Sequence, residues 1–80
     1  MNRNEISQRV DTIISTSVNH HNYEFSEMLT PQNVVGWDSL ANAMILTAIE
    51  KEFSIKFKFS DMIAWKNVSE LIDIIMKQVE

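Results

Sequence analysis

Apolar residues in the first stretch of the chain fall at Ile6, Val10, Ile13, Ile14 and Val18. Steps of three, four and seven put them on one face of a helix, predicted from Arg3 to Val18. Asn2, just ahead of it, and Glu5 have the spacing of a capping box. The last stretch repeats the pattern. Val68, Leu71, Ile72, Ile75, Met76 and Val79 make one stripe, and Asn67-Val68-Ser69-Glu70 again has capping-box spacing. Residues 19–38 keep no period. His20, His21, Asn22, Ser26, Thr30, Pro31, Asn33 and Gly36 punctuate them. Tyr23, Phe25, Met28, Leu29, Val34, Val35 and Trp37, scattered between, are expected to pin this loop to a core. A short helical turn fits within it. Loops of about 20 residues are uncommon in compact domains and are usually functional when ordered.

A second helix is predicted from Asp38-Ser39 to about Phe53, and either of its first side chains can cap it. Its pattern is two-sided. Ile45, Leu46, Ile49 and Phe53 share one side; Leu40, Met44, Thr47, Ala48 and Lys51 share the opposite one, joined by Ala41. A helix in so small a bundle cannot bury all round. The Leu40–Met44 side therefore either extends the core or forms an exposed docking strip, and the accessibility of Met44 decides between them. Ser54-Ile55-Lys56-Phe57-Lys58-Phe59 alternates like a strand but has no partner strand in the sequence, so an extended connector is expected. Ser60 is expected to cap a short third helix, Asp61 to Ala64 or Trp65. The pattern predicts one all-α domain over residues 1–80, a four-helix bundle with three longer helices, a short third one and a long first loop.

Composition sharpens this picture. One Gly and one Pro in 80 residues disfavour strands joined by tight turns, and the absence of Cys removes disulfides and thiolate metal sites. The formal net charge of −4, with acids spread along the chain, disfavours a nucleic-acid binder, including a helix-turn-helix protein. No apolar run reaches membrane-spanning length, and the start Met1-Asn2-Arg3-Asn4-Glu5 lacks a signal peptide's apolar stretch. A cytoplasmic monomer is expected. Catalytic and metal sites are not. Asp38 adjoins Ser39 and is poorly placed to orient His20 or His21 behind it as a hydrolase triad requires. The two histidines lack further ligands at suitable spacing and read as solvated loop residues.

Gly36-Trp37-Asp38-Ser39-Leu40 resembles the attachment motif of acyl carrier proteins, in which Asp-Ser-Leu opens the second helix after a long loop. The likeness extends over nearly the whole chain, through Ala48-Ile49-Glu50-Lys51-Glu52-Phe53, Ser54-Ile55 and Asn67-Val68-Ser69-Glu70-Leu71. The resemblance implies a carrier with no catalytic activity. A phosphopantetheinyl transferase would take 4′-phosphopantetheine from coenzyme A and place it on the Ser39 hydroxyl, and the arm's thiol would carry an acyl or aminoacyl group as a thioester. By analogy, Asp38 helps the transferase hold its metal. Gly36 frees the chain to present the turn, Trp37 fixes the loop, and Leu40 flanks the site. A helix N-terminus suits an attached phosphate.

Leu40, Ala41, Met44, Thr47 and Lys51 are expected to face partner enzymes that load and process the cargo. This strip is poor in acids, unlike many fatty-acid carriers, and so is more similar to discrete carriers of polyketide, aminoacyl or cell-surface biosynthesis. Met44, Met62 and Met76 are adaptable residues that could line an opened core around an acyl chain. Trp65 reads as a core anchor or as a wall for the cargo. The rival reading is a carrier-like interaction module that is never modified.

Overall fold

The computed structural model describes residues 1–79. It contains α1 (Arg3–Val18), a 3₁₀ turn (Pro31–Asn33), α2 (Ser39–Phe53), α3 (Phe59–Ala64) and α4 (Val68–Val79), and no strand among the described residues. This is the all-α four-helix bundle expected from the pattern, with its short helical turn inside the long loop, and it is consistent with the fold that the resemblance implied.

Each longer helix begins on a side-chain cap. Asn2 Oδ1 accepts from the Glu5 N–H at 2.8 Å, Asp38 Oδ1 from Ala41 at 2.9 Å and Asn67 Oδ1 from Glu70 at 3.0 Å. These bonds satisfy N–H groups that the first turn leaves free. The capping boxes are incomplete in different ways. Glu5 turns away to pair with Arg9, and Glu70 accepts from the N–H of Lys66 rather than that of Asn67. Asn19 and Ser54, both left-handed with φ of 63° and 55°, stop α1 and α2.

The third helix starts earlier than its sequence suggested. Lys58 occupies the N-cap position, and the Asp61 carboxylate reaches back to the Lys58 N–H at 3.0 Å. Ser60 therefore lies inside the first turn and is not the cap. Trp65, in extended conformation, ends the helix.

The predicted stripes meet in one core. Ile6, Val10 and Ile14 of α1, Ile45 and Ile49 of α2, and Val68, Leu71, Ile72 and Ile75 of α4 are fully buried. Burying such side chains stabilises by roughly 1.5–3 kcal/mol each. Ile55 and Phe57 of the connector also point inward, while Lys56 and Lys58 point out. The strand-like alternation is thus real, but its pairing partner is a side chain. Gln78 donates through Nε2 to the Lys56 carbonyl at 2.7 Å and accepts from the Lys56 N–H at 3.4 Å. Glu50 accepts from the Phe57 N–H at 2.8 Å.

The long loop is tied down at several points. Leu29, Val34 and Trp37 are buried, and Tyr23 and Phe25 pack partly against the core. Met28 and Val35 do not follow the expectation, for both are exposed. For Met28, backbone bonds explain the difference. The Leu29 carbonyl accepts from the Val68 N–H at 2.9 Å and the Glu27 carbonyl from Ser69 at 2.8 Å, which turns the intervening Met28 outward. Arg3 adds a charged clasp. Its guanidinium donates to both Glu27 oxygens, to Asp73 Oδ1 at 2.7 Å and to the Ser69 carbonyl at 3.1 Å. The Arg3 hydrogen bonds hold the Glu27 carboxyl below its ordinary range, while Glu27 and Asp73 hold the guanidinium's own pKa up. Tyr23 donates to Asp11 Oδ1 at 3.0 Å; burial first, then this carboxylate, push its phenol up to about 12.

Candidate functional site

The site lies where the loop meets α2. Gly36 has a φ of 89°, a conformation that costs an L side chain strain, although a Cβ there would meet Val18 only at an ordinary 3.8 Å. Backbone shape, not crowding, is what Gly36 supplies. The chain then turns so that Trp37 is buried, its Nε1–H donating to Asn42 Oδ1 at 3.0 Å. This bond fastens the loop's last residue to the first turn of α2.

Asp38 and Ser39 divide the work that sequence alone left open between them. Asp38 is the cap, in extended conformation, through its carboxylate to Ala41 and its carbonyl to the Asn42 N–H at 2.8 Å. Ser39 is the first helical residue and is exposed. Its hydroxyl is therefore not engaged in capping. It stands at the positive end of a 15-residue helix, where an attached phosphate is favoured.

An open cleft of about 750 Å³ runs beside Ser39. Thr30 and Gln32 of the loop, Trp37, Asn42 of α2, and Met62 and Trp65 of the α3 region line it, with Lys66 at its edge. Trp37 and Trp65 form its aromatic wall, ring centroids 5.9 Å apart and tilted by 41°, a normal geometry for such a pair. Trp65 packs against the core, as the anchor reading required, and it also lines the cleft beside Ser39. Sequence reasoning missed Asn42 and the Thr30–Gln32 wall. Asn42 carried a signal, since one turn beyond Asp38 it is the polar residue that reaches back toward the loop.

The second helix presents its two sides as the pattern required. Ile45, Leu46, Ile49 and Phe53 are buried. Leu40 is 72 % exposed and Met44 49 % exposed, so the Leu40–Met44 side does not extend the core. Thr47 and Lys51 are exposed as well, and with Ala43, Met44 and Ala48 they border a shallow apolar groove. Ala41 is the exception among the residues assigned to this strip. It is 5 % exposed, because it lies between the two sides of the helix. Nearby acids are engaged elsewhere: Glu50 holds the Phe57 N–H, and Glu52 pairs with Arg9 at 2.9 Å.

Two other groupings come apart. Met44 borders the outer groove, Met62 the Ser39 cleft, and Met76 packs against the core on α4, so the three do not line one chamber. His20 is not simply solvated. Its Nε2 lies 2.6 Å from the Val35 carbonyl oxygen while its Nδ1 accepts from the Asn22 N–H at 2.9 Å, a pair that a ring protonated at Nε2 satisfies. His21 meets Asp11 at 3.1 Å. Both histidines staple the loop, away from Ser39.

A family model described as the phosphopantetheine attachment site matches residues 33–75, just over half of the chain. The chain belongs to the acyl carrier protein family. No curated protein matches it. The cofactor of this carrier family is covalently attached 4′-phosphopantetheine. The residues present fit that group. A flexible arm of amides and methylenes meets a cleft with a polar wall (Thr30, Gln32, Asn42) and an aromatic one, opening beside an exposed hydroxyl at a helix start. The carrier therefore has a phosphopantetheinyl transferase and biosynthetic enzymes as partners in general terms. No helix among the described residues is long and apolar enough to cross a membrane.

Proposed function

We propose that the chain is a carrier, not a catalyst, and that it holds acyl or aminoacyl intermediates on an arm attached to Ser39. The observation that carries this reading is the division of roles at the head of α2. Asp38 makes the cap, which leaves the Ser39 hydroxyl exposed beside a cleft suited to the arm. Gly36 and Trp37 position this turn, and Asp38, by analogy with the family, also helps the transferase hold its metal and orient the cofactor. The arm supplies a thiol that binds cargo as a thioester. Tethering raises the local concentration of that cargo at each enzyme it visits.

Leu40, Met44, Thr47 and Lys51 form the partner-facing strip, with Ala41 supporting it from beneath. The strip's lack of acids favours a discrete carrier of a specialised polyketide, aminoacyl or cell-surface pathway over a housekeeping fatty-acid carrier. The chain works as a single domain and a monomer in the cytoplasm. Intact-mass spectrometry after incubation with coenzyme A and a broad-specificity phosphopantetheinyl transferase tests the attachment. One arm's mass is expected on the wild type and none on Ser39→Ala. A wild type left unmodified by a transferase that loads a control carrier would instead mean an interaction module that is never charged.

A further inference from the structure

Trp65, one of the residues lining the cleft, carries a polar group that the protein leaves without a partner. The indole Nε1–H of Trp65 is covered and has no hydrogen-bond partner among the described residues. Buried indole N–H groups normally find an acceptor, and leaving one without costs free energy. Trp37, the neighbouring ring, makes the contrast: its own N–H is satisfied by Asn42 at 3.0 Å. Trp65 is also the less buried of the two. It is only partly buried, it sits past the end of a six-residue helix in extended backbone, and it lines the same cleft as Ser39.

Resting on attachment at Ser39, we infer that Trp65 is the docking residue for the phosphopantetheine arm. Its ring face is the apolar wall along which the arm's methylenes lie. A small turn of the ring toward the open cleft brings Nε1–H to one of the arm's amide carbonyls, which accepts the hydrogen bond that the protein itself does not supply. Trp37 cannot take this part, because its donor is already committed and its ring is buried. The unmet donor thus favours a docked arm over one that sweeps freely.

The two indole N–H signals in a ¹H–¹⁵N spectrum test this directly. Trp65→Phe assigns them by removing one and leaves an aromatic wall in place. Protein loaded from coenzyme A, with the added mass confirmed, is compared with protein not yet loaded. The Trp65 signal is expected to move downfield on loading and its exchange with water to slow severalfold, while the Trp37 signal stays in place. In loaded Trp65→Phe the arm's amide protons are expected to take the shifts of pantetheine free in solution. A Trp65 signal that is the same before and after confirmed loading overturns the assignment, and this comparison needs only the wild type. Absence of added mass would instead overturn attachment, and docking with it.

Discussion

Asp38 and Ser39 are adjacent polar residues that can both cap a helix, and their order decides which one remains available. The residue at the N-cap position gives up its side chain to the first turn. Here that is Asp38, bonded to the Ala41 N–H at 2.9 Å. Replacing it with Ala is expected to cost about 0.5–2 kcal/mol and to lower the melting temperature by several degrees; Asp38→Asn, which caps as well, is expected to retain most of the stability. Loading by the transferase should fall in both variants if the charge, and not the cap, is what the transferase uses, so thermal melts and mass spectra together separate the two roles. The motif around Ser39 was legible in the sequence, but the assignment of cap and free hydroxyl was not, because residue type permits either. Ser60 illustrates the same limit. It has a capping side chain in a plausible place, yet Asp61 reaches back to Lys58 and moves the helix start upstream.

At the scale of elements, periodicity was a sufficient guide for α1, α2 and α4, since each must set an apolar stripe against the others. For α2 it left a choice that only packing could make, and the exposure of Leu40 and Met44 makes it. The two sides should respond differently to truncation. Ile45→Ala, at a fully buried position, is expected to destabilise by about 2–5 kcal/mol. Met44→Ala should fall within about 0.5 kcal/mol of the wild type, a contrast that chemical denaturation would measure. The connector was read correctly as extended for an incomplete reason. It lacks a partner strand, but Gln78, some 22 residues away, supplies the hydrogen bonds that a strand would have given. No local pattern announces such a side chain.

At the scale of the molecule, the least legible feature was how the loop is held. Its clasp joins Arg3, Glu27, Ser69 and Asp73, residues brought together only by the fold. Composition and spacing carry no trace of it. Because Arg3 lowers the Glu27 pKa in the folded state, the contribution of Glu27 to stability is present above its ordinary value of 4.5 and is lost as pH falls below that value through the lower folded one. The stability difference between wild type and Glu27→Gln should therefore shrink between neutral pH and about pH 3, with melting curves at several pH values as the measure. The exposed Leu40–Met44 side has a consequence of another kind. It is built on a helix, so a partner docking there would meet a surface already in its final shape, with little to be ordered on contact. Its large apolar side chains are only two, Leu40 and Met44, whereas stable complexes use roughly 20–30 residues a side. As a docking surface it would favour short residence times, since affinity differences lie mostly in the rate of departure. If the chain visits several enzymes in turn, as proposed, it is limited by how soon it can leave the last one, and brief visits suit that task better than tight ones.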